Sequence, residues 1–120
     1  MKTAVILLGH GSRAEEGNTA LAEVAGLVHT LGGVEAIPAF LQFCSPSLPE
    51  AVTAEIAAGA TKVVIVPYFL YSGNHVMKDI PEELDAIRRA NPAVEIVMTE
   101  HLGAHEKLAK IVLERLEGMI

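Results

Sequence analysis

Two histidines carry the chemistry this chain offers most plainly. His10 stands between Gly9 and Gly11, after the apolar run Val5-Ile6-Leu7-Leu8. His75 follows Gly73-Asn74, after the run Val63-Val64-Ile65-Val66. Imidazole is the commonest metal ligand among side chains and the one best suited to moving protons near neutral pH. If both runs are parallel strands, both rings lie at strand carboxyl ends, where open α/β sheets bind ligands. The pairing points to a site that handles a metal, a proton, or both.

Each motif also has a plainer explanation. Gly9-His10-Gly11-Ser12-Arg13 reads as a tight turn with Ser12 capping the next helix, or as a turn that holds an anion at a helix start. The full dinucleotide fingerprint is absent. His75 alone could be an exposed loop residue, and Asp79 a helix cap. Tyr68-Phe69-Leu70-Tyr71 is either core, a contact between copies, or a wall for a flat ring. Arg13 and Lys78 are the cations nearest the two histidines in sequence. His29 falls on a helix surface, and His101 and His105 flank the start of the last helix, in exposed or capping positions.

Periodicity supplies the elements that must position these groups. Ala4–Leu8 is a short continuous apolar run, as in a strand buried on both faces. Leu21, Val24, Ala25, Val28 and Leu31 recur at helical spacing, and Gly32-Gly33 ends that helix. Val34–Leu41 is a second strand, with Pro38 marking it as an edge. Ser47-Leu48-Pro49-Glu50 has the form of a capping box opening a helix with Leu48, Val52 and Ile56 inward. Lys62–Val66 is the third strand, followed by a loop of about a dozen residues, long for such a connection. Asp79-Ile80-Pro81-Glu82 repeats the capping pattern before a helix through Leu84 and Ile87, which Asn91-Pro92 ends. Val94–Met98 and then Leu108, Ile111, Val112 and Leu116 give a last strand and helix. This βαβαβαβα order predicts a four-stranded parallel sheet, order 2-1-3-4, flanked by helices in a flavodoxin-like half-domain. Its carboxyl edge presents His10, Gln42 to Ser45, Tyr68 to His75, and Glu100 with His101.

Composition narrows the function classes. The 120 residues fit one domain spanning 1–120, and 51% are hydrophobic with no Trp, so the core is aliphatic. A formal charge of −6 argues against nucleic acid, whose phosphates need a basic face. Cys44 is the only cysteine, so no intrachain disulfide or cysteine cluster forms. No apolar stretch approaches the ~20 residues of a membrane span. A reduced, cytoplasmic domain is expected.

Three motifs together resemble the small sirohydrochlorin cobaltochelatases, the short class II chelatases related to sirohydrochlorin ferrochelatase and nickelochelatase. They are Leu-Gly-His-Gly-Ser-Arg at 8–13, Pro-Ser-Leu-x-Glu-Ala at 46–51, and Val-Pro-x-Phe-Leu-x-x-Gly-x-His-x-x-x-Asp-Ile-Pro at 66–81. The resemblance implies insertion of a divalent metal, cobalt first and nickel or iron otherwise, into sirohydrochlorin. The product would serve cobalamin or other tetrapyrrole biosynthesis. It implies no cofactor beyond the metal substrate, and a homodimer. It assigns metal binding and catalysis to His10 and His75, with His10 accepting a proton. It assigns substrate contacts to Ser45 and to Leu70, Tyr71, Ser72, Gly73, Asn74 and His75. Many such relatives carry Glu at the position of Gln42 and an acid at that of Ser45, so this chain departs from the pattern at both. Glu100 is the residue that could compensate.

The competing reading is a phosphocarrier domain of a mannose-type sugar transport system, phosphorylated on His10. It offers no role for a second histidine in the Gly-x-His-x-x-x-Asp-Ile-Pro loop.

Overall fold

Eight elements alternate along the chain in the computed structural model, which describes residues 2–71 and 75–120, with residues 75–77 described through their backbone. They are β1 (Lys2–Gly9), α1 (Glu15–Gly32), β2 (Ala36–Phe40), α2 (Leu48–Ala57), β3 (Ala60–Pro67), α3 (His75–Ala90), β4 (Glu95–Met98) and α4 (Glu106–Leu116). The strands form one sheet in the order β2-β1-β3-β4. All three pairings are parallel, with Leu7 opposite Pro38 on one side and Val66 on the other. Strand order and the edge position of Pro38 are as the sequence predicts.

Alternation along the strands divides the core between two faces. Ala4, Ile6 and Leu8 of β1, Val63 and Ile65 of β3 and Ile96 of β4 meet α2 through Leu48, Ala51 and Val52, and α3 through Ile80, Leu84 and Ile87. On the other face Leu7 and Phe40 meet Leu21 and Ala25 of α1. β1 is buried on both faces over Ile6–Gly9, whereas β3 is buried on the face toward α2 and α3 and half-buried on the other. Each fully buried aliphatic side chain contributes about 1.5–3 kcal/mol.

Beyond shifts of a residue or two at the strand ends, three details differ from the sequence reading. Ser12 does not cap α1: the cap position is Ala14, with no side-chain bond. Ser12 Oγ instead accepts the Ala14 N–H at 3.0 Å, while the Ser12 main chain is tied to the Asn18 amide by bonds of 3.1 and 2.8 Å. Leu31 points to solvent in the last turn of α1, not to the core. The third difference is the largest. α3 starts at His75, so the connection after β3 is residues 68–74 instead of a dozen, and Asp79 and Pro81 lie inside the helix. Pro81 removes one helical donor, but Ile80, Leu84 and Ile87 bury themselves at helical spacing and outweigh that local cost.

α2 opens as expected. Ser47 Oγ accepts the Glu50 N–H at 3.3 Å, and Glu50 Oε1 accepts the Ser47 N–H at 2.8 Å. Ser47→Ala is expected to destabilise the fold by about 1 kcal/mol in urea unfolding. The Ser47 backbone N–H, then its side chain, holds the Glu50 carboxyl below its ordinary pKa. The native state therefore binds fewer protons than the unfolded chain. The contribution of Glu50 is complete above the unfolded carboxylate pKa and fades as pH falls through the lowered native value. The stability gap between wild type and Glu50→Gln should close on acidification; a gap constant across the acid range would contradict this.

Candidate functional site

The site starts where the β1–β2 ladder runs past both strands. The Leu41 N–H donates to the Gly9 carbonyl at 3.1 Å, and the Gln42 N–H donates to the His10 carbonyl at 3.2 Å. Gly11 makes this approach possible. It has φ 93°, and a Cβ there would lie 1.8 Å from the Gln42 carbonyl oxygen. No side chain fits between the two strands at that point, and left-handed backbone disfavours one in any case.

That interlock sets Gln42 beside His10, with Gln42 Nε2 3.0 Å from His10 Nδ1. An amide can meet an imidazole in two ways. Its NH2 can donate to a bare Nδ1, leaving the ring proton on Nε2. Turned over, its oxygen accepts from Nδ1–H and leaves the Nε2 lone pair free. Only the second arrangement presents a ligand or a base to solvent through Nε2. The ring is exposed and stands edge-on to Phe69, with centroids 6.4 Å apart and planes at 87°.

A small cleft of about 180 Å³ opens at His10, lined also by Leu41, Gln42, Asp79, Ile80 and Glu83. Asp79 and Glu83 are one turn apart on α3, and residue 75 comes one turn before Asp79, so all three positions fall on one helical stripe. Partial burial holds the Glu83 carboxyl above its ordinary pKa. On the other side of the turn lies a wide open cleft of about 840 Å³, lined by Ser12, Arg13, Phe43, Cys44 and Ser45 among others. The Arg13 guanidinium lies 4.6 Å from the Phe43 ring centroid, a cation–π contact. Cys44 Sγ lies 3.2 Å from the Ser12 carbonyl, to which the thiol donates.

The expected site residues thus fall in different places. His10 is at the centre. Ser45 lies on the Arg13 side. Leu70 and Tyr71 are exposed and share a groove with His105 and Leu108 at the start of α4. Ser72, Gly73, Asn74 and the His75 side chain lie outside the described residues. Glu100 lines a groove with His101 and His105, apart from the cleft at His10. His105 Nδ1 accepts the Lys107 N–H at 3.0 Å and caps α4, one of the roles its position suggested. Among the described residues no three His, Cys, Asp or Glu side chains converge on a point that could cage a metal. Sequence reasoning missed Glu83. Its four-residue spacing from Asp79 was visible, but the link needs a helix that starts at His75.

An open parallel sheet with an exposed imidazole, a neutral amide and two carboxylates at its carboxyl edge defines a ligand-handling domain of the doubly wound α/β class. A family model, CbiX, matches residues 4–119. The sirohydrochlorin cobaltochelatase of Methanopyrus kandleri is 33% identical over 95% of this chain and 94% of its own length. The sirohydrochlorin ferrochelatase of Priestia megaterium is 34% identical over 94% of this chain but only 43% of its own. Among solved structures, SirB from Bacillus subtilis with Fe3+ superposes with a TM-score of 0.87 and 28% identity, over 99% of this chain and 48% of SirB. The chain belongs to the CbiX family. The phosphocarrier reading of His10 finds no support in these matches.

Gly11→Ala tests the interlock. Left-handed strain alone costs about 1–2 kcal/mol, and the clash with Gln42 adds to it. We expect a clear loss of stability in thermal unfolding, together with displacement of Gln42 from His10. Unchanged stability would mean that the two connections do not pack as described.

Proposed function

We propose that the chain is a chelatase that inserts a divalent metal ion into sirohydrochlorin, with cobalt as the first candidate and nickel or iron as the others. The observation that carries this reading is an exposed His10 held at Nδ1 by Gln42, at the mouth of a cleft whose far wall carries Asp79 and Glu83. Family membership and the relatives named above support the substrate class.

The chemistry follows from the groups present. Metallation must remove pyrrole N–H protons as a dication enters the ring. In the arrangement that turns the Gln42 amide over, so that its oxygen accepts Nδ1–H, His10 offers the Nε2 lone pair to the ion or to a proton. Asp79 and Glu83 provide negative charge for the incoming dication. Glu83, whose burial favours the protonated form, is suited to passing a proton onward. His75, at the start of the same helical stripe, is the second ligand in this scheme. Imidazole binds cobalt, nickel and iron alike, so the ligand type does not choose among them. The carboxylates of the tetrapyrrole need a cation in a chain of net charge −6, and Arg13 in the wide cleft beside Ser45 supplies one. Leu70 and Tyr71 offer apolar surface to the macrocycle. One four-stranded unit presents a single wall, so a second copy would provide the facing wall of the cleft.

The direct test is incubation with sirohydrochlorin and Co²⁺, Ni²⁺ or Fe²⁺, followed by absorption against a no-enzyme control. His10→Ala and His75→Ala are each expected to lose about 100-fold or more of the rate, with circular dichroism unchanged. Wild-type turnover in both would remove the two-histidine mechanism. Proton and metal compete for one lone pair, so excess metal should partly restore the rate lost in acid. Gln42→Glu places a carboxylate on Nδ1, favours the imidazolium and should move the acid limb of the rate profile to higher pH. An unmoved limb would show that His10 is not the group whose protonation is read.

A further inference from the structure

One aromatic residue beside the site is strained, exposed and outside the core. Phe43 has φ 65°, in the left-handed region. That conformation is costly for a bulky side chain and persists only where the surroundings impose it. Hydrophobic burial does not explain it. Phe43 is 55% exposed and belongs to neither core cluster. Ties on both sides fix the residue instead. The Gln42 N–H donates to the His10 carbonyl at 3.2 Å, and the Cys44 thiol donates to the Ser12 carbonyl at 3.2 Å. Phe43 is the turn between these two ties. From there its ring meets the guanidinium of Arg13, which lies 4.6 Å from the ring centroid.

Arg13 has no acidic partner to hold it. Lys2, Lys62, Arg88 and Arg115 each lie beside a carboxylate, whereas Arg13 forms no ion pair among the described residues. Glu15 lines the same cleft without closing on it. An aromatic face attracts a cation through its quadrupole and needs no particular N–H to do so. The guanidinium therefore keeps a fork of donors whose spacing matches the two oxygens of a carboxylate. A freely rotating arginine would lose rotamer freedom on binding an acid. Contact with Phe43 removes part of that loss beforehand. The strain at position 43 thus accompanies a preorganised cation.

This cation stands next to the histidine. Ser12 and Asn18 line both the wide cleft of Arg13 and a cavity of about 220 Å³ at Gly9, His10 and Gly11, so the two hollows share a wall. A planar substrate centred over His10 then has one edge on the Arg13 side. Toward α3 lie Asp79 and Glu83, whose carboxyl groups disfavour an acidic edge. Attraction on one side and repulsion on the other select how the acidic rim faces.

We propose that Arg13 is a specificity-determining residue that selects a carboxylate on the rim of the tetrapyrrole, and that Phe43 is its positioning residue. The inference rests on the proposed function for its substrate class. It adds which group discriminates acid from neutral tetrapyrroles and what holds that group ready. Phe43 acts through the guanidinium and not on the pyrrole nitrogens.

The test compares sirohydrochlorin with its fully amidated form, which keeps the macrocycle and loses the negative charges. KM and kcat for Co²⁺ insertion, and binding of the two metal-free compounds followed by fluorescence, are measured for wild type, Arg13→Ala, Arg13→Lys, Phe43→Leu and Phe43→Tyr. Arg13→Ala should raise KM for sirohydrochlorin about 10-fold or more, as expected for a lost hydrogen bond to a charged group, with a much smaller change in kcat. Its effect on the amide should be slight, so the preference for acid over amide shrinks by a similar factor. Arg13→Lys keeps the charge without the fork and should fall between. Phe43→Leu keeps an apolar side chain without a π face and should reproduce part of the KM rise, while Phe43→Tyr should restore the wild-type value.

A Phe43→Leu variant that unfolds at lower temperature or loses kcat, with its acid-to-amide preference intact, would overturn the positioning role. An unchanged preference in Arg13→Ala, with wild-type turnover present, would overturn the whole proposal and leave the chelatase reading standing. Wild-type protein that neither binds nor metallates sirohydrochlorin would remove both. Should Arg13→Ala misfold, Arg13→Lys carries the same comparison; a wild-type preference there and in Phe43→Leu counts against the proposal.

Discussion

Two main-chain hydrogen bonds beyond the end of the sheet govern the site. The carbonyls of Gly9 and His10 accept from Leu41 and Gln42, and this pair of bonds prolongs the β1–β2 ladder into what would otherwise be two independent loops. Their closeness is what forbids a side chain at position 11. It is also what delivers the Gln42 amide to the His10 ring. A loop histidine on a free turn would sample many orientations; here the backbone on both sides of the ring is fixed by a partner strand.

The surroundings of His10 divide by charge. Toward α3 lie Asp79 and Glu83, suited to a dication and to protons. Toward α1 lie Arg13, its aromatic support Phe43, and Ser45, suited to an anionic periphery. The substrate proposed above has an acidic rim and a metal-accepting centre, which is why this local division, and not the net charge of the chain, bears on that proposal. Local arrangement outweighs the average field because charges separated by more than about 8–10 Å are screened in physiological salt.

Much of this was legible in the sequence because it depends on local rules. Continuous apolar runs announced buried parallel strands, Pro38 announced an edge, and Ser47 with Glu50 announced the start of α2. The start of α3 is misleading in the sequence because Asp79-Ile80-Pro81-Glu82 has the chemistry of a helix opening, whereas the helix begins one turn earlier at His75 and carries Pro81 inside it. That single shift hid Glu83 from the site. The approach of Gln42 to His10 was equally hidden, since it depends on the register between residues 32 positions apart. The sequence puts position 42 on the same carboxyl edge as His10 and marks its departure from an acidic norm, but not its contact with the ring.

Pro38 has one more consequence. It stands in the middle of β2, an outer strand, and contributes no N–H. The opposite outer strand, β4, is only four residues long. Neither border offers the long, evenly spaced row of donors and acceptors on which a foreign strand could template itself. Sideways growth into fibrils or continuous sheets is thereby discouraged at both margins of a sheet whose chain exposes much aliphatic surface.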